Sequence, residues 1–232
     1  MKKIIVLILS FLFFGCNHVT GVNNAQLEQA SADINNQNYN QAILILNSLD
    51  QSNPQVKSLL AAAYAGRAGF NGLKLADLII TNSQTPMNIL YSLNTQYSAS
   101  NITDIETALA FVPNDGQLND RIQYASIEIY KISQLILKNY NTDFNTWNPC
   151  VDAGFLADDI INIIISINIS AEKVKDVQQS FYDYITKLES QLNINPTIVT
   201  SNQITDQDIT NFRNALIQQI NSYSNGQLQI CN

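Results

Sequence analysis

Leu118, Ile122, Ala125, Ile129, Ile132 and Ile136 recur at steps of three and four residues. Only a long helix puts such a series on one face, because 3.6 residues make a turn and a strand would scatter the six over both sides of a sheet. The spacing predicts a helix of five or more turns. Two further series, Val174, Val177, Phe181, Ile185, Leu188 and Leu192, and Ile209, Phe212, Leu216, Ile220 and Tyr223, repeat the pattern, with Pro196 separating them.

The rest of the chain is read around those stripes. The run IINIIISINIS at residues 160–170 is compatible with a buried strand or a buried helix, since β-branched residues favour strands and periodicity alone does not decide. Its position among helical segments favours a central helix of the C-terminal half. Pro86 and Asn88 open a short helix, and NITDIETALAFVP reads as another, capped by Thr103 with Glu106 three residues on and closed by Pro113. The expectation is an all-α chain of nine or ten helices, continuing as an irregular helical bundle or solenoid.

The N-terminus carries a different kind of signal. Lys2 and Lys3 precede an apolar run from Ile4 to Phe14, then Gly15 and Cys16, and the chain turns polar at once in NHVTGVNN. The run is short of the about 20 apolar residues that cross a bilayer and has the length of a signal-peptide core. The arrangement resembles a bacterial lipoprotein signal. The resemblance implies cleavage after residue 15, acylation of Cys16 as the first mature residue, and a tether over 16–24 leading to a helical domain over 25–232. Several acyl chains hold a protein durably at a membrane where one does not. Asn17 is not the aspartate that retains some lipoproteins at the inner membrane, so the resemblance points to an outer-membrane lipoprotein facing the periplasm.

A second resemblance covers roughly residues 23–83. Tyr39, Ala42, Leu46, Leu49 and Pro54 are spaced like the second helix and closing turn of a tetratricopeptide repeat (TPR), and Leu73, Ala76 and Ile80 follow 34 residues later. Leu60, Ala63, Tyr64 and Arg67 occupy the positions of the preceding helix in the second unit, and Ala30 fits the first. The resemblance implies TPR-like hairpins over 25–83, in which small residues bring paired helices close and large ones fill the neighbouring groove. It also implies a protein-binding scaffold, of the kind that serves outer-membrane protein assembly, secretion or pilus machinery. The alternative is a small-ligand-binding lipoprotein that partners a periplasmic solute transporter. Tyr64, Arg67 and Trp147 are the candidate groove residues. Arg67, set among small residues in AAAYAGRAGF, either holds an acidic ligand or pairs with Asp33, Asp77 or Asp104 to pin two helices, the second being preferred. Trp147, in the loop NYNTDFNTWNPC, either makes binding contacts or covers the core beside Cys150, again with the second preferred.

Composition narrows the chemistry. The formal charge is −7, and removing Lys2 and Lys3 takes it to −9, so the basic footprint of a nucleic-acid binder is missing. The one histidine, His18, lies in the tether, where it serves no hydrolase triad. Neither GxxxxGK[ST] nor GxGxxG occurs, and neither Cys150 nor Cys231 has a neighbouring metal ligand, so no cofactor or metal is expected. Asp158 and Asp159 read as a solvated helix start. The expectation is a protein that binds and does not catalyse. In an exported chain Cys150 and Cys231 read first as a disulfide closing a loop of about 80 residues, worth up to about 4 kcal/mol in the chain-entropy view. Two separate thiols are the other reading.

Overall fold

The computed structural model describes residues 24–81, 85–93, 99–113, 117–140 and 157–223, and within them all regular structure is helical. In chain order the α-helices are α1 (Asn24–Asn35), α2 (Tyr39–Asn47), α3 (Pro54–Arg67), α4 (Gly72–Thr81), α5 (Pro86–Leu93), α6 (Ala99–Phe111), α7 (Leu118–Tyr140), α8 (Ala157–Val174), α9 (Gln179–Gln191) and α10 (Asp206–Tyr223). A 3-10 turn at Ser201–Gln203 precedes α10. The all-α class expected from the stripes is therefore the observed one.

The long stripe forms α7, but its surroundings go beyond an amphipathic helix. Leu118 is 52% exposed, while every residue from Ala125 to Tyr130 is buried, and so are Ile132 to Ile136. A helix buried on all sides sits at the centre of a fold, and α7 packs against α5, α6 and α8. Polar side chains on its other faces are drawn in with it. Gln123 donates to the Ser58 carbonyl and accepts from the Ser58 hydroxyl, both at 3.0 Å, tying α7 to α3. The Ile-rich run is the middle of α8, with Ile160, Ile163, Ile164 and Ile167 in the core. Its buried Asn168 donates to the carbonyls of Asn195 and Ile198, and so fastens the connector after α9.

Three sequence expectations need correction. The stripe from Val174 to Leu192 is two helices: α8 stops at Val174, and the Gln178 side chain accepts from the Phe181 amide to start α9. A side-chain cap replaces the glycine or proline that usually marks such a break. Thr103 caps nothing, because α6 begins at Ala99 and Thr103 lies inside it. Asp158 is exposed as expected, but Asp159 is buried and pairs with Lys138 at 2.9 Å, joining the start of α8 to the end of α7.

The TPR-like correspondence divides at the same level. Helices α1, α2 and α3 pack consecutively, with Ala30 and Ala42 fully buried between them. The ring of Tyr39 lies directly against Gly66, where any β-carbon would overlap it. The second unit does not close as a hairpin. Helix α3 takes α6 as its partner, and the main neighbours of α4 are α5 and α9. Leu73, the counterpart of Tyr39, is half exposed accordingly.

Helix α3 is the wall between two hydrophobic clusters. Val56, Leu59, Leu60 and Ala63 face the small one with α1 and α2, whereas Ala61, Ala65 and Ala68 face the large one built on α4 to α10. It ends in a Schellman motif, with Gly69 N–H donating to Gly66 O and Phe70 N–H to Ala65 O, both at 2.9 Å, and Gly69 at φ +92°. Helices α1 and α9 end in the same way, with Gln37 at φ +62° and Asn193 at φ +51°. Glutamine has no local hydrogen bond to offset that conformation, which costs an L-residue about 1–2 kcal/mol. Gln37→Gly is therefore expected to raise stability by about 1 kcal/mol, read as a shifted midpoint in urea unfolding with an unchanged slope.

Candidate functional site

Two polar constellations stand out among the described residues. The first surrounds Arg67 at the end of α3. Its Nε and Nη2 donate to the two carboxylate oxygens of Asp104 on α6 at 2.7 and 2.6 Å, and Nη1 donates to Asn40 Oδ1 on α2 at 3.1 Å. The guanidinium lies 4.9 Å from the centre of the Tyr64 ring, which stacks on Phe111 at 5.8 Å. A planar fork matched to a carboxylate is the geometry in which arginine binds most strongly. Here the carboxylate belongs to the protein, and three helices are strapped together. Of the three aspartates weighed from sequence, Asp104 is the partner.

In this arrangement each of the three guanidinium nitrogens of Arg67 donates to a side chain of the protein. Tyr64 is half-buried between the two clusters. Trp147, Cys16, Cys150 and Cys231 lie outside the described residues. Because Arg67 is 35% and Asp104 16% exposed, solvent moderates their attraction. Arg67→Ala and Asp104→Ala are each expected to cost about 1–2 kcal/mol, with a double-mutant coupling near 1 kcal/mol. Losses that simply add would show that the pair does not act as a strap.

The second constellation lines a pocket of about 310 Å³ between the end of α6, the start of α7 and the end of α8. Leu109, Ala110, Val112 and Pro113 form one wall, and Asp120, Arg121, Tyr124 and Lys173 the other. Arg121 is fixed by the C-terminal end of α8, donating through Nε to the Lys173 carbonyl at 2.7 Å and through Nη2 to the Glu172 carbonyl at 3.4 Å. A cation suits that position, where a helix exposes unpaired carbonyls and the negative end of its dipole. The Lys173 ammonium sits 5.3 Å from the centre of the Tyr124 ring. Burial first, and then the neighbouring Glu128 carboxylate to which it is hydrogen-bonded, push the Tyr124 hydroxyl well above its usual value, so it stays protonated.

The sequence stripe through Ile122 and Ala125 hides this site. Asp120, Arg121 and Tyr124 fall between the members of that series, and Lys173 is 49 residues beyond Tyr124. The one available signal is scarcity: in a chain with 12 lysines and arginines, an arginine at the start of the longest helix among the described residues is unusual enough to follow. No group of three or more histidine, cysteine, aspartate or glutamate side chains among the described residues is placed to hold a metal. No family model, curated protein or solved structure matches the chain.

Proposed function

We propose that this chain is a lipid-anchored, all-helical protein of the bacterial envelope, held at the outer membrane through Cys16 and acting as an interaction scaffold for another envelope protein. The observation that carries the reading is the apolar run ending in Gly15 and Cys16, followed immediately by a polar tether. Among the described residues no helix is long and apolar enough to cross a membrane, which is compatible with attachment from the surface. The layered packing of α1, α2 and α3 supports the scaffold role, because stacked helices leave an extended outer face.

Mass spectrometry of the mature N-terminus tests the anchor: an acylated Cys16 is expected, and an intact Met1 or a free Cys16 thiol would reject it. In the same oxidising compartment Cys150 and Cys231 are joined, so non-reducing peptide mapping should recover them as one linked pair. Crosslinking in the native envelope tests the scaffold. Leu44 projects from α2 with 69% of its surface exposed. Leu44→Ser is expected to leave the melting temperature unchanged and to weaken capture of the crosslinked partner several-fold. Undiminished capture would move the contact off α2.

A second reading, a small-ligand-binding lipoprotein that serves a solute transporter, is favoured by one observation, the pocket between α6, α7 and α8. At about 310 Å³ it lies at the lower end of the range for small-molecule sites, and Asp120, Arg121, Tyr124 and Lys173 converge on it beside a smaller apolar surface.

A further inference from the structure

We propose that Asn71 is a self-modification site, whose side-chain amide converts to a carboxylate through attack by the backbone nitrogen of Gly72 whenever the first turn of α4 opens. An asparagine followed by glycine is the pairing in which this reaction meets least obstruction, because Gly72 has no β-carbon to shield its nitrogen. The chemistry needs only water. The Gly72 nitrogen attacks the side-chain carbonyl carbon of Asn71, and a C–N bond forms. The Gly72 amide proton and the side-chain nitrogen with its two hydrogens depart as ammonia. Water then opens the resulting succinimide at either carbonyl, leaving aspartate or isoaspartate at position 71.

The structure supplies both the access and the gate. Asn71 is exposed, and Gly72, the first residue of α4, carries one of the N–H groups that a helix leaves without an intrahelical acceptor. Ring closure requires the Asn71 side chain and the peptide that follows it to turn towards each other. Two hydrogen bonds hold them. Asn71 Oδ1 accepts from the Lys74 amide at 3.0 Å, and the Asn71 carbonyl accepts from the Leu75 amide at 3.1 Å. The first fixes the side-chain torsion and the second the peptide to Gly72, so the cap that starts α4 also restrains the reaction.

That gate opens at low cost. Leu73 and Lys74 are exposed like Asn71, and burial begins only at Leu75 and Ala76. Lifting the first turn therefore brings little apolar surface into water and needs no global unfolding. Gly72 weakens the turn further, since glycine gives up more backbone freedom than any other residue on becoming helical. The two products differ in what they do to α4. Aspartate keeps an acceptor for the Lys74 amide and adds a negative charge at the positive end of the helix, which strengthens the cap. Isoaspartate routes the backbone through the extra side-chain methylene, displaces the carbonyl that receives the Leu75 amide, and leaves the turn open.

The test is peptide mapping of the full-length chain in detergent, aged at mildly alkaline pH. Trypsin cuts after Arg67 and Lys74 and releases residues 68–74. The amide-to-acid mass gain of that fragment, and enzymatic methylation of its isoaspartate, are followed beside the synthetic peptide AGFNGLK. The native chain is expected to convert at least tenfold more slowly than the peptide, yet measurably, while the chain unfolded in urea matches the peptide. Below the unfolding transition the native rate should stay nearly flat with urea, because opening one turn exposes little surface. Gly72→Ala should slow conversion tenfold or more in chain and peptide alike. A native rate equal to the peptide's would overturn the gate. A native rate that climbs with urea in step with global unfolding would place the reaction in the unfolded chain and overturn it too. An intact amide in the native chain after about a hundred half-lives of the peptide would remove Asn71 as a site.

Discussion

Replacing Gly69 by valine is expected to lower stability by about 3 kcal/mol, which for a protein of ordinary stability is a large share of the total. Two costs combine. At φ +92° a β-branched residue is strained by about 1–3 kcal/mol, where glycine is not. The added β-carbon would also come within 3.0 Å of the Tyr130 hydroxyl. That hydroxyl is buried and donates to the Ala68 carbonyl at 2.7 Å, its ring resting on Phe70, so displacing it breaks a buried hydrogen bond between α7 and the end of α3. Asparagine tolerates positive φ better, so Gly69→Asn should cost about 1–2 kcal/mol. Chemical denaturation of both variants, repeated in a Tyr130→Phe background, separates backbone strain from the contact. Equal losses for valine and asparagine would mean that φ at this position is not what matters.

Glu189→Gln is expected to stabilise the protein by about 2–3 kcal/mol near pH 8 and to change little near pH 4. Glu189 is 7% exposed on α9, its Oε1 has no hydrogen-bond partner, and burial pushes its carboxyl up from 4.5 to about 7. The folded chain therefore holds this proton more tightly than the unfolded chain does. Below pH 4.5 both states are protonated and the contribution to stability is complete. As the pH rises from 4.5 to 7 the unfolded state ionises first, and each pH unit between them costs the native state about 1.4 kcal/mol. Above 7 the penalty levels off. Glutamine keeps the shape without the charge and escapes it. A stability difference between the two chains that is flat from pH 4 to pH 8 would show that Glu189 is not desolvated in the native state.

Much of the fold was legible because helical burial writes a period into the sequence. The series ending at Ile136 located α7, and the one ending at Tyr223 located α10. The limits have equally specific causes. The all-round burial of α7 was hidden by Ser126, Ser133 and Gln134, polar residues that a central position buries regardless; Gln134 is 0% exposed. The break between α8 and α9 rests on one glutamine side chain reaching back to a backbone amide, and glutamine carries no such message in sequence. In AAAYAGRAGF the small residues around Arg67 did announce a cation held in a tight setting. Choosing Asp104 over Asp33 and Asp77 required knowing that α6, and not α4, lies beside α3. The same substitution of neighbours separates the observed packing from the TPR-like correspondence in its second unit. The pocket was beyond reach for the same reason, since α6, α7 and α8 meet there through residues 109 to 173.

Because α3 serves as a wall with hydrophobic residues on both sides, the molecule has a built-in order of mechanical failure. A pull at the N-terminal end reaches α1 first, then α2, and these two are held by the smaller cluster and by the Arg67–Asn40 hydrogen bond. Peeling them away would strip one face of α3, yet its alanine face would remain gripped by the larger cluster, clamped by the Tyr130 hydrogen bond at one end and the Gln123–Ser58 pair at the other. The first two helices thus act as a sacrificial layer that dissipates load before α7 feels it. The pocket, lined by α6 and the two residues that follow it, by α7 and by α8, would keep its shape after they have yielded.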